Sequence, residues 1–178
     1  MTVTRRAFIA ATGAAVAMPA FIRDVKAQAQ FTFRLHHFLP PMSNGHAKML
    51  APWAKQVAEA SGGRIDIKIF PSMQLGGTPP QLYDQARDGV ADIVWTLPGS
   101  TPGRFPLSEV FELPFIGGRL GITNAQASQE FATRHMGEET KDIKLLSYWA
   151  HDTGLIHSKK QVTTLDSLKG QKLRFPTR

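Results

Sequence analysis

From Arg64 to Phe70 the chain alternates between apolar and polar residues, with Ile65, Ile67 and Ile69 on one side and Asp66 and Lys68 on the other. A period of two belongs to an extended strand with one buried face, and Pro71 ends it. Phe31 to His36 carries the same alternation and predicts a first strand. Between them, Leu50, Trp53, Ala54, Val57 and Ala58 recur at helical spacing, which predicts a helix over 43–60. Ser43 or Asn44 can cap it, Pro52 should kink it or break off its first turn, and Gly62-Gly63 supplies the stop.

Thr78 followed by Pro79 and Pro80 reads as a cap with proline in the first turn, opening a helix through Gln85 to Gly89. Ala91 to Leu97 is mostly apolar, as expected of a strand buried on both faces. Strand, helix, strand, helix, strand is the rhythm of an α/β fold with a parallel sheet and right-handed crossovers. From Pro98 to Phe115, six prolines and glycines predict an ordered loop around a short helix near Leu107 to Val110. A further helix is expected from Asn124 to His135, and strands at Ile143–Ala150 and, after the turn at Lys169-Gly170, at Gln171–Phe175. No internal repeat is visible. The chain stops at Arg178, directly beyond a strand, which reads as a fragment of a longer protein.

The first 29 residues change the picture. Arg5 and Arg6 precede an apolar, alanine-rich run from Ala7 to Phe21, and Ala27-Gln28-Ala29 offers a small-residue exit. That order describes a secretory signal cut before Gln30, and the paired arginines suggest the twin-arginine route. The run is too short and too broken, by Gly13 and Pro19, to span a bilayer comfortably. Export places the mature protein in the periplasm. The remaining 149 residues suffice for one domain with a real core.

Net charge is +7, but Arg5, Arg6, Arg23 and Lys26, offset by Asp24, carry three of the seven. Elsewhere basic residues are scattered among acidic ones, without the clustered stripe and interleaved aromatics of a nucleic-acid surface. There is no cysteine, so disulfides, thiolate metal sites and cysteine nucleophiles are excluded. No nucleophile elbow, phosphate loop or dinucleotide fingerprint occurs. His36, His37 and His46 lie close in sequence but lack a zinc spacing, and adjacent His36 and His37 on a strand point to opposite faces. Structural or cleft-lining roles fit them better than a metal site.

Several motifs in order carry a resemblance: Phe70 to Gly76 (Phe-Pro-Ser-Met-Gln-Leu-Gly), Asp88 to Ile93, Pro102 to Pro106 with Phe111 to Phe115, and Thr164 to Pro176. Together they resemble the periplasmic solute-binding proteins of TRAP transporters over essentially the whole mature chain. The resemblance implies a two-lobed periplasmic binding protein fold of about twice this length, closing over an organic anion and delivering it to membrane subunits driven by ion gradients. Residues 30–147 would then be most of lobe I, and 148–178 the crossover strand and the start of lobe II, with the crossing near Tyr148 to Asp152.

In that family the arginine of the Lys-Leu-Arg-Phe-Pro motif, here Arg174, grips the ligand carboxylate. A guanidinium suits this task, because its two parallel donors match two carboxylate oxygens. A second position often held by arginine falls on Gly154, so a typical dicarboxylate clamp is incomplete. Phe38, Thr78 and Trp95 to Leu97 align with ligand-facing loops, and Trp149, His151 and Thr153 could line the cleft. Thr78 reads first as a helix cap and Trp149 as core, and Trp95 also fits a core position. Phe38, Trp95 and Leu97 favour an acid with a bulky or planar body. The expectation is a monomeric, non-catalytic binding protein without cofactor, metal or nucleic-acid partner. The alternatives are an exported metal-dependent hydrolase using these histidines, or a binding-protein relative serving as a ligand sensor.

Overall fold

The computed structural model describes residues 29–152 and 154–174. The twin-arginine segment, Thr153 and the end of the last expected strand, Phe175, lie outside the described residues. Three strands, β1 (Phe31–His37), β2 (Ile65–Phe70) and β3 (Ile93–Trp95), form one sheet in the order β2-β1-β3. Both pairings are parallel, running from Phe31↔Ile65 to His36↔Phe70 and from Leu35↔Ile93 to His37↔Trp95. The last three residues of the central strand, Leu35, His36 and His37, are fully buried. The alternating strands therefore sit where their pattern places them, with β1 covered on both edges.

A π-helical turn, Gly45–Leu50, runs into α1 (Ala51–Ala60). Ser43 Oγ accepts from the His46 N–H at 3.3 Å and starts it. Pro52 lies in the first turn of α1, so the break falls where the missing proline N–H requires one. Gly62 and Gly63 adopt positive φ beyond its end. A 3-10 turn, Pro79–Gln81, leads into α2 (Leu82–Arg87), whose Leu82 and Tyr83 are buried.

Three expectations are corrected. The strand from Ala91 to Leu97 shortens to Ile93–Trp95, and all three residues are half-buried rather than enclosed on both faces. β3 is an edge strand. At its start the Asp92 carboxylate, not a ladder carbonyl, takes the Arg34 N–H at 2.7 Å, and at its end Pro98 opens a 3-10 turn, Pro98–Ser100. The second correction concerns Ile143–Ala150, which forms no ladder. Two of its amides are taken by side chains of α3 (Gly121–His135): Tyr148 N–H donates to Gln129 Oε1 at 2.7 Å and Ala150 N–H to Ser128 Oγ at 2.8 Å. Lastly, the described part of the expected final strand, residues 171–174, forms no strand and pairs with none among the described residues. The Pro98–Phe115 loop does enclose a short 3-10 helix, Ser108–Glu112.

Arg104 fastens that loop to α2. Its guanidinium meets both Asp84 oxygens at 2.9 and 2.7 Å and lies 4.4 Å over the Tyr83 ring. Hydrogen bonding to Arg104 holds the Asp84 carboxyl below the usual carboxylate range.

Candidate functional site

After β1 the chain crosses to one side to form β2, then returns past β1 to form β3 on the other. The carboxyl ends of β1 and β3 therefore mark the topological switch point, the place at which open α/β sheets bind ligands. Phe38 immediately follows β1, and Trp95 is the last residue of β3. Their rings stack at 5.2 Å with a 29° interplanar angle, and Trp95 stacks in turn on Trp149 at 6.2 Å and 28°. These spacings are those of offset aromatic pairs. Three of the residues singled out in the sequence thus form one run of rings at the switch point.

Trp149 is 37 % exposed, so it is not a core residue. Its position follows from α3, because the amides on either side of it, Tyr148 and Ala150, are the two anchored by Gln129 and Ser128. Buried Asn124, one turn earlier on the same helix, donates from Nδ2 to the His151 carbonyl at 3.4 Å and to the Gly118 carbonyl at 3.1 Å. Sequence reasoning missed these supports. The signal was available: Asn124 and Ser128 are polar, one turn apart and in line with apolar Ala132, and a polar stripe on a buried face must find backbone partners.

The other expected residues sit apart from this run. Leu97 is half-buried and begins the 3-10 turn, its carbonyl accepting from the Ser100 N–H. Thr78 is exposed, and both its N–H and its hydroxyl donate to Gln81 Oε1, at 2.8 and 3.0 Å. That is a cap. His151 is exposed and donates from Nδ1 to the Asp152 carbonyl at 2.6 Å. Arg174 and Gly154 are exposed, and the Arg174 side chain has no hydrogen bond or ion pair among the described residues. Trp149 also lines an open concavity of about 400 Å³ with Ile122, Gln129, Glu130 and Tyr148. It has a carboxylate and no cation, so it offers an organic anion no clamp.

The histidines are engaged with the protein itself. His36 donates from Nδ1 to Gln85 Oε1 at 2.7 Å and accepts the Leu75 N–H on Nε2 at 3.3 Å. His37 accepts the Leu39 N–H on Nδ1 at 3.1 Å and meets His46 Nδ1 through Nε2 at 3.0 Å. Burial, then the neighbouring His46 and His36, push His37 down to about 4. Among the described residues no three His, Asp or Glu side chains gather in a metal-holding group, and no helix is long and apolar enough to cross a membrane.

Residues 35–178 match the family model described as bacterial extracellular solute-binding protein, family 7. A marine metagenome TRAP solute-binding protein specific for aromatic acid ligands, solved with metahydroxyphenylacetate, is 46 % identical with a TM-score of 0.79, over 83 % of this chain and 46 % of its own. A TRAP solute-binding protein from Rhodoferax ferrireducens with copurified benzoate is 46 % identical with a TM-score of 0.63, over 65 % of this chain and 36 % of its own. A curated solute-binding protein of Chromohalobacter salexigens is 29 % identical over 75 % of this chain and 40 % of its own length. The chain spans less than half the length of these relatives. With a parallel α/β sheet in the order β2-β1-β3 and a family match over most of its length, the chain belongs to the TRAP solute-binding proteins of extracellular family 7.

Proposed function

We propose that this chain is the ligand-capturing first part of a periplasmic receptor that takes up an aromatic carboxylate for a TRAP-type transporter. The observation that carries this reading is the run Phe38–Trp95–Trp149 at the carboxyl ends of β1 and β3. Ring faces in a crevice favour a flat, apolar ligand body over a flexible aliphatic one. Two relatives that are each 46 % identical were solved with metahydroxyphenylacetate and with benzoate, ligands of that class.

In this reading residues 30–147 form most of lobe I, and 148–178 form the crossover and the start of lobe II. Arg174 supplies the clamp: its guanidinium, unengaged among the described residues, pairs with the carboxylate as the lobes close about their hinge. Phe38, Trp95 and Leu97 present the ring-binding wall, while Trp149 and His151 border it. Gly154 contributes no side-chain donor, which favours a monocarboxylate. The receptor works as a monomer, without catalysis or cofactor, and its closed form docks on the membrane subunits.

The test is a thermal-shift screen of the full-length mature protein against benzoate, 3-hydroxybenzoate, succinate and zinc. A ligand that binds only the folded state raises Tm by an amount set by its concentration relative to Kd. A shift with the aromatic acids, abolished in Arg174→Ala and absent with succinate, supports the reading. A shift with succinate alone overturns the aromatic class, and a shift with zinc alone overturns the binding-protein function.

A further inference from the structure

The carboxyl end of β1 holds a polar arrangement that ligand contact does not explain. His37 is completely buried there. Its Nδ1 lies 3.1 Å from the Leu39 nitrogen, and a backbone N–H can only donate, so Nδ1 is the unprotonated acceptor. Nε2 then carries the proton and donates to His46 Nδ1 at 3.0 Å. One pair of tautomers satisfies both bonds, with both rings neutral.

What this pair encloses is Phe38. The residue lies between His37 and Leu39, so the bond from the Leu39 N–H back to the His37 ring closes the backbone around it. The flanking carbonyls are tied as well. The Met73 N–H donates to the His37 carbonyl at 3.1 Å and the Ser72 N–H to the Leu39 carbonyl at 3.0 Å. Across the turn, a Cβ on Gly45 would stand 2.6 Å from Leu39 Cδ1, so the Leu39 side chain packs directly against the Gly45 backbone. The direction of the Phe38 ring, and hence its stack on Trp95, depends on a bond whose acceptor is oriented by His46.

We propose that His46 is a positioning residue for the aromatic site, acting through His37 to hold Phe38 stacked on Trp95 so that the crevice accepts a planar ring. This rests on the reading of Phe38 as a ligand-facing ring. A proton on His37 Nδ1 would oppose the Leu39 N–H, so the neutral ring is required. The depressed titration of His37 agrees with that need, the titratable groups acting on it being His46 from the π-helical turn and His36 from its own strand.

The experiment uses the full-length protein, with 3-hydroxybenzoate as the probe. His46→Leu removes the acceptor and strands the buried Nε2–H of His37, whereas His46→Asn keeps an acceptor where Nδ1 stood. We expect His46→Leu to weaken binding about tenfold, as for a buried donor left unsatisfied, and to diminish the near-ultraviolet circular dichroism of the stacked indoles. His46→Asn should restore both. Unchanged affinity and spectrum in a folded His46→Leu would overturn the proposal. If wild type ignores every aromatic acid, the aromatic reading fails, yet the apo spectrum still decides the positioning role. If His46→Leu does not fold, an acid titration of wild type replaces it. The indole band should then fade around pH 4, where His37 takes up its proton in the folded chain, ahead of the far-ultraviolet signal, and a band that persists until global unfolding overturns the proposal.

Discussion

The chain up to Trp95 and the chain beyond Ile143 satisfy the same backbone groups by different means. In the first region, ladders on both edges of β1 pair the amides and carbonyls, and Leu35, on that strand, is 1 % exposed. In the second, side chains of one helix capture isolated amides, and Leu146, Leu155 and Ile156 remain 61, 76 and 54 % exposed. A ladder is cooperative with the burial beneath it. Captured amides are single bonds, each contributing about 1 kcal/mol net. The sheet should thus carry the stability, while the later segment is held in place by a few replaceable contacts.

The largest expected effect tests that division directly. Leu35→Ala, in the central strand, should lower the unfolding free energy by about 2–5 kcal/mol. Leu155→Ala should change it by less than about 0.5 kcal/mol. Urea unfolding of both variants measures the gap, and equal losses would break the comparison.

Acid should attack the sheet region next. His37 titrates at about 4 in the folded chain, against 6.5 for an ordinary imidazole. Between those values the unfolded state binds the extra proton, so stability rises with pH across the window. The contribution of neutral His37 is complete above about pH 6.5 and is lost as pH falls to about 4, amounting to roughly 3 kcal/mol. Unfolding midpoints taken across that range check it, and His37→Asn should flatten the profile.

The two regions also differ in how far sequence alone exposes them. The alternation of Ile65–Phe70, the cap at Thr78 and the stop at Gly62-Gly63 are local signals, and the observed elements follow them. Ile143–Ala150 is rich in apolar and aromatic residues and reads as a strand too, but whether a strand finds a ladder depends on what lies beside it. Its partners are side chains about twenty residues upstream, at Ser128 and Gln129, and periodicity carries no trace of them. The site divides likewise. Phe38 and Trp95 are legible because family resemblance aligns them with ligand-facing loops, at the strand ends where such sheets bind ligands. The tautomer lock of His37 and His46 needs two rings nine residues apart to face each other, which only tertiary structure reveals.

Cutting one capture point sharpens the contrast. Ser128→Ala leaves the Ala150 N–H without its acceptor, at a cost of about 1–2 kcal/mol. The loss should be local. Hydrogen exchange at Ala150 should quicken by about tenfold or more, while the amides of β1 keep their protection. Faster exchange in β1 would mean that the two regions unfold as one.

The smallest effect separates a cap from a ligand contact. Thr78 lies in a loop that family resemblance assigns to the ligand, yet its hydroxyl and N–H both serve Gln81 at the start of α2. Thr78→Ala should cost about 1 kcal/mol of stability, as for other lost helix caps. Thr78→Ser, which keeps the hydroxyl, should restore it. Affinity for 3-hydroxybenzoate in the full-length protein should stay within about twofold in both variants, because a shortened cap leaves the Phe38–Trp95 stack untouched. A drop in affinity with Thr78→Ala that Thr78→Ser repairs, without a matching stability change, would place the hydroxyl on the ligand instead and extend the site from the crevice to the start of α2.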